Sequence, residues 1–234
     1  AVAAFLLGHD EEMEGLRERA YQAYLDAGNR DAAVRCAFWL GFHLSNRGET
    51  ARAAGWLARV RRLVDDSEPP GPVTALLLMP DLVRLLFAHR TADALPGLER
   101  CIALAVEHHD LDVFVLAGMA RARCLLELGR ESEAVAALDE AMVHVAAQRV
   151  APQVMGLAYC SMIDLCMSRH DVQRAGEWTR ALTSWCEEQH GLVPYRGICL
   201  VHRAEILQLR GSWAEAAAEA EQACGRLERS GATA

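Results

Sequence analysis

Apolar residues recur along this chain at the three- and four-residue spacing of amphipathic helices, and the helical blocks come in pairs. The small or polar residue that closes one block is followed five positions later by a small apolar one. Gly48 leads to Ala53, Gly129 to Ala134 and Gly211 to Ala216. His89 to Ala94 and His170 to Ala175 keep the spacing with the glycine replaced, and Gly8 to Met13 keeps it with Met for Ala. The closing positions 8, 48, 89, 129, 170 and 211 are separated by 40, 41, 40, 41 and 41 residues, which is an internal repeat.

The physical reading is a helical hairpin. A glycine at a helix end takes the left-handed conformation without a Cβ penalty. The Glu, Asp or Ser that follows suits a helix N-terminus, where free N–H groups and the dipole favour acceptors and anions. The small residue five positions on lets two antiparallel helices approach closely, and Trp56, Leu57, Leu98, Leu138, Trp178 and Ala220 continue the apolar face. The pattern predicts A helices, before each closing residue, over 31–47, 73–88, 111–128, 153–169 and 195–210. B helices, after it, are predicted over 10–27, 51–65, 92–109, 131–149, 172–189 and 213–229, with 1–7 as the tail of a further A helix. Gly28-Asn29, His109-Asp110, the Ser67 to Pro72 stretch, Val150 to Pro152 and Gly191 to Pro194 read as breaks. Pro80 and Pro96 fall inside predicted helices and are expected to kink them or shift their starts.

No segment carries a strand pattern, so the fold class is all-α. Each hairpin is apolar on more than one face and cannot bury itself, so neighbours are expected to stack into an α-solenoid of about five and a half hairpins. The expected organisation is a single repeat domain over 1–229 with a frayed tail at 230–234.

The stretch CAFWLGFHLSNRGETARAAGWL resembles a tetratricopeptide (TPR) repeat: Leu40-Gly41, Leu44, Gly48 and Ala53 follow the order Leu-Gly, apolar, turn Gly, Ala. The usual TPR period is ~34 residues, so these helices should each run about a turn longer. The lengthened form is similar to the helical-repeat regions of large LuxR-type, MalT-like bacterial transcription regulators. The segments 16–63 and 174–220 also look like repeat segments of actinobacterial LuxR-type proteins, which occur beside cyclase and ATPase domains as well. The resemblance implies a right-handed TPR-like superhelix whose A helices line a concave groove. It also implies a sensor or interaction role, with a peptide, protein or small-molecule inducer in the groove and an output domain elsewhere. The helix-turn-helix and nucleotide-binding segments of such regulators do not occur in these 234 residues. A start at Ala1, without Met, reads as a segment of something longer.

Composition narrows the function classes. Ala, Leu, Arg and Glu dominate, aromatics make up 6%, and Lys is absent, so every basic side chain is Arg. A net charge of −8 and no basic stripe argue against direct nucleic-acid contact, which needs clustered cations to displace counterions. No apolar run approaches the ~18 residues of a membrane span, and no signal segment is present. The eight cysteines are scattered among apolar neighbours in a chain too long to need a disulfide framework, which reads as a reduced, cytoplasmic protein.

Candidate chemistry is sparse. Cys166 with His170, Cys186 with His190 and Cys199 with His202 have spacings that zinc could use, but they fall on different elements and no Cys-x2-Cys accompanies them. They are read as core cysteines beside surface histidines, with no metal and no cofactor. His108-His109-Asp110 is read as a solvated helix end. No Gly-x-Ser-x-Gly, His-Glu-x-x-His or phosphate loop occurs, so no enzyme is expected.

What remains is the groove that the resemblance implies. Carrying the inward-facing A-helix positions from hairpin to hairpin gives one ladder of Phe42, Val83, Arg123, Asp164 and Glu205. A second ladder, four residues earlier, gives Phe38, Met79, Met119, Cys160 and Val201. The candidate binding residues are therefore Phe38, Phe42, Met79, Met119, Arg123, Asp164 and Glu205, apolar at one end and charged at the other. Arg123 and Asp164 could instead pair with each other. The Tyr195-Arg196-Gly197 turn and His202-Arg203 are further candidates.

Overall fold

The computed structural model describes residues 1–63, 71, 73–188 and 196–229, and the side chains among them other than 196–199 and 226–229. The Ser67 to Pro70 stretch, Pro72, His190, the Gly191 to Pro194 break, Tyr195 and the 230–234 tail lie outside the described residues.

Twelve helices and no strand occur among the described residues. They are α1 (Val2–Leu6), α2 (Asp10–Asp26), α3 (Arg30–Asn46), α4 (Thr50–Leu63), α5 (Thr74–Phe87) and α6 (Thr91–Glu107). The second half holds α7 (Leu111–Glu127), α8 (Glu131–Ala146), α9 (Pro152–Ser168), α10 (Val172–Glu188), α11 (Arg196–Leu209) and α12 (Trp213–Arg229). Each expected helix is present among the described residues, and the ends that fall on described residues are displaced by three residues or fewer, while the expected ends at 65, 189 and 195 lie outside them. Pro80 and Pro96 lie inside continuous helices rather than at their starts.

The turns have the expected backbone. Gly8, Gly48, Gly129 and Gly211 all take φ between 72° and 79°, and at the two closing positions without glycine His89 and His170 hold φ of 53° and 59°. The imidazoles therefore occupy left-handed backbone that costs a side-chain-bearing residue ~1–2 kcal/mol. His109 and Gln148 do the same at turns from a B helix to the next A helix. Side-chain caps follow several turns: Asn29, Asp110 and Asp171 each accept the N–H three residues on, at 3.1 Å.

The fifth residue after each closing position is buried throughout. Ala94, Ala134 and Ala175 are 0% exposed, Met13 1%, Ala53 2% and Ala216 8%. Leu98 and Leu138 are buried beside them, each worth ~1.5–3 kcal/mol on removal from water. Two expectations for this face need correction. Trp178 is half-buried and Ala220 is exposed, while Leu182, Trp185 and Ala223 take the buried positions. In α10 and α12 the buried apolar stripe is carried by residues further along the helix than Trp178 and Ala220.

Contacts divide the chain into two compact units, one of Ala1 with Glu11–Val150 and the other of Val2–Asp10 with Ala151–Ala234. In the first, α3 packs on α4, α5 on α6, α6 on α7 and α7 on α8, and the A helices α3, α5 and α7 also touch in order. Arg35 of α3 pairs with Asp110, whose side chain is 8% exposed and also caps α7. Glu14 of α2 pairs with Arg52 at 2.7 Å, and Tyr21 meets Trp56 edge-on at 5.2 Å. In the second unit α9 packs on α10, α10 on α11 and α11 on α12, with α9 also touching α1 and α11.

Two substitutions should move stability in opposite directions. Ala134→Trp forces an indole into a fully buried helix contact and should cost ~1–3 kcal/mol or more. His170→Gly relieves the left-handed strain at an exposed site, and after glycine's greater unfolded-state entropy should leave a gain of ~0.5–1 kcal/mol. Chemical denaturation checks both, and a parent-like midpoint for Ala134→Trp would misplace the interhelical face.

Candidate functional site

The ladder residues lie on A helices as expected, but they differ in what they offer a ligand. Phe38 and Met79 are 3% and 5% exposed and belong to the core. Phe38 stacks on Phe42 at 6.2 Å and meets Trp39 edge-on at 5.4 Å, so α3 carries an aromatic cluster with Phe42 and Trp39 half-buried at its rim. Met119 and Val83 are half-buried, whereas Arg123 is exposed and stands 3.5 Å from Glu127, one turn along its own helix. Glu127 also faces His89 at 3.6 Å, so the charges of this region are satisfied locally. In the second unit Cys160 and Val201 are half-buried, and Asp164 and Glu205 are exposed on α9 and α11. Glu205 stands 3.6 Å from Nδ1 of the buried His202.

A more developed concavity lies between α10 and α11, with a volume of about 350 Å³. One stripe of α10 supplies Gly176, Thr179, Arg180, Thr183 and Ser184, positions three or four apart that share a helix face. A stripe of α11 supplies Arg203, Ile206 and Leu207, and Arg210 closes the end. Thr179 and Thr183 donate their hydroxyls to the Ala175 and Thr179 carbonyls, both at 2.8 Å, which keeps the methyl and oxygen of each in a fixed place. Arg203 pairs with Glu219 of α12 and is thereby held along α11.

Gly176 seats the guanidinium groups. A methyl built there would stand 2.9 Å from Nη2 of Arg210 and 3.7 Å from Nη1 of Arg180. The bare α10 backbone thus lets Arg210 lie across from the end of α11, beside Arg180. No carboxylate pairs with Arg180 or Arg210 among the described residues. Glu187 lines the same cleft two helical turns beyond Arg180.

Of these residues the sequence singled out Arg203, next to His202. Arg180 and Arg210 were missed because lone arginines on helix ends and faces look like solvated charges. The available signal was Gly176: glycine inside a helix costs ~1 kcal/mol against alanine, and here it directly follows the close-contact Ala175.

No three His, Cys, Asp or Glu side chains come together among the described residues. Burial pushes the Cys101, Cys124 and Cys166 thiols up to about 11, so they are protonated at neutral pH. Cys36 is raised by burial too, against the opposing pull of Arg17, and burial lowers the Arg17 guanidinium in turn. No described helix is long and apolar enough to cross a membrane.

No family model matches the sequence, and no curated protein does. Among solved structures the chain is similar to BtubC (BKLC) from P. vanneervenii, with a TM-score of 0.63 over 96% of this chain and 93% of that one. At 16% identity the likeness is one of fold.

The thiol burial has a direct readout. A disulfide-exchange reagent at pH 7.5 should label the exposed Cys224 rapidly and leave Cys101, Cys124 and Cys166 unmodified until denaturant is added. Rapid native-state labelling of those three, located by peptide mapping, would contradict the packing described.

Proposed function

We propose that this chain is a TPR-like right-handed superhelix that binds rather than catalyses, serving as the sensor or interaction segment of a bacterial LuxR-type transcription regulator. The observation that carries the binding role is the cleft between α10 and α11, a concavity with cations, hydroxyls and an apolar wall. The regulator assignment is supported by the resemblance of segments 16–63 and 174–220. It works by population shift. A ligand held by two helices of one hairpin array favours the arrangement of those helices that completes its contacts, and an output domain linked to the array reads the change. A regulatory repeat domain attached to a cyclase or ATPase would work in the same way.

The alternative is a protein–protein scaffold. The observation favouring it is a set of apolar side chains in water, with Phe87 78%, Val143 65% and Trp213 66% exposed. The two readings part in a thermal-shift screen against small metabolites. A ligand at about a hundred times its Kd stabilises by ~2.7 kcal/mol, which for a chain of this size raises Tm by roughly 5–10 °C. At least one small molecule should produce such a shift. Failure of every small molecule, with stable retention of a protein partner, would replace the sensor by the scaffold.

A further inference from the structure

We infer that the α10–α11 cleft is an anion site that takes the phosphate of a small phosphorylated molecule. The inference gives the binding role proposed above a ligand class and rests on that reading. Arg210 and Arg180 bring two guanidinium groups to the same spot over Gly176, with no carboxylate pairing either of them among the described residues. Two like charges brought together repel, and an anion between them removes that cost while gaining charge-assisted hydrogen bonds.

The remaining lining distinguishes phosphate from a plain carboxylate. A carboxylate offers two oxygens in one plane and is satisfied by a single guanidinium fork. A phosphate monoester offers three terminal oxygens around a tetrahedral centre. Here two forks from different elements, Arg180 on α10 and Arg210 from the end of α11, face one spot over Gly176, more donors than a carboxylate's two oxygens use. At about 350 Å³ the cleft exceeds a bare phosphate and sits at the small end of organic ligand pockets. Ile206 and Leu207 give the ester's organic part an apolar wall. Glu187, at the far end, repels a second anionic group and leaves room for hydroxyl or amine hydrogens.

The glycine provides a test in which stability and binding separate. Gly176→Ala puts a methyl where Nη2 of Arg210 lies, and the obstructed atom is the tip of a flexible side chain. The helix should be as stable as before or more so, since alanine is favoured over glycine by ~1 kcal/mol in a helix interior, while the guanidinium loses its seat. The probes are adenosine 5′-monophosphate and glucose 6-phosphate, each against its unphosphorylated parent, by isothermal titration calorimetry on the whole chain. The phosphorylated probes should bind and the parents should not, and inorganic phosphate should compete. Arg210→Gln and Gly176→Ala should each weaken binding about tenfold or more, with Arg59→Gln, on α4, unchanged. Absence of binding by both phosphorylated probes overturns the inference, as does unaltered binding in Arg210→Gln and Gly176→Ala. Binding of a phosphoserine peptide in place of the small phosphates overturns it in favour of a protein partner. A metabolite without phosphate that still raises Tm would leave the sensor reading standing and remove only its ligand class.

Discussion

The structure depends on one close contact made five times among the described residues: an alanine, five residues after the turn, buried where two helices of a hairpin pack. Ala94, Ala134 and Ala175 are wholly buried, and Ala53 and Ala216 nearly so. At such a position the helix axes can approach more closely than leucine would allow, and the larger apolar residues of the same face then interlock around the contact. The constraint acts locally. It fixes how a B helix leaves the turn and meets the A helix before it, so the same short signal can be reissued every 40 or 41 residues without regard to the rest of the sequence. This is why the turns can exchange glycine for histidine while the alanines persist. Left-handed backbone costs a histidine ~1–2 kcal/mol, whereas a bulky residue at the contact displaces a whole helix.

The cleft between α10 and α11 uses the same device for another purpose. Gly176 directly follows the contact alanine of its hairpin, and the absence of a side chain there admits the Arg210 guanidinium to the α10 backbone instead of a neighbouring apolar group. Packing and electrostatics meet at that residue. A repeat that stacks by leaving out side chains makes room, and a long cation from the next helix fills it. The buried thiols illustrate the opposite outcome. Cys101, Cys124 and Cys166 fill ordinary core positions, and the same burial that lets them pack raises their ionisation to about 11 and silences them.

Sequence periodicity made the fold legible because its signals are short-range. Turn glycines, cap residues such as Asp110 and Asp171, and apolar spacing each act within one helix or one turn. The candidate surfaces were less legible. Phe38 and Met79 occupy the ladder positions but are sealed in the core, because a helix side chain one turn from a groove residue can point inward as readily as outward. Arg123 is occupied by Glu127, a partner four residues away in its own helix. The Arg180–Arg210 pairing over Gly176 joins residues of two helices, and no spacing along one helix announces it. Trp178 and Ala220 show the same limit in the core, since a fixed offset does not say which residue of a turn faces the neighbour.

If the hairpins are equivalent units joined at equivalent turns, the chain tolerates removal of one whole repeat. Deleting residues 90–129 joins His89 to Arg130, so that α5 is followed by α8 across a turn of the same pattern. In a repeat fold each unit meets its neighbours alone, and an in-frame loss shortens the array without dismantling it. The measurement is thermal unfolding followed by far-UV circular dichroism, with deletion of 90–109 as the comparison, since that removes one helix, α6, and leaves a half repeat. Equivalent units give unchanged helicity per residue and one cooperative transition for the whole-unit deletion, and loss of cooperativity for the half-unit deletion. Equal collapse of both would contradict that equivalence.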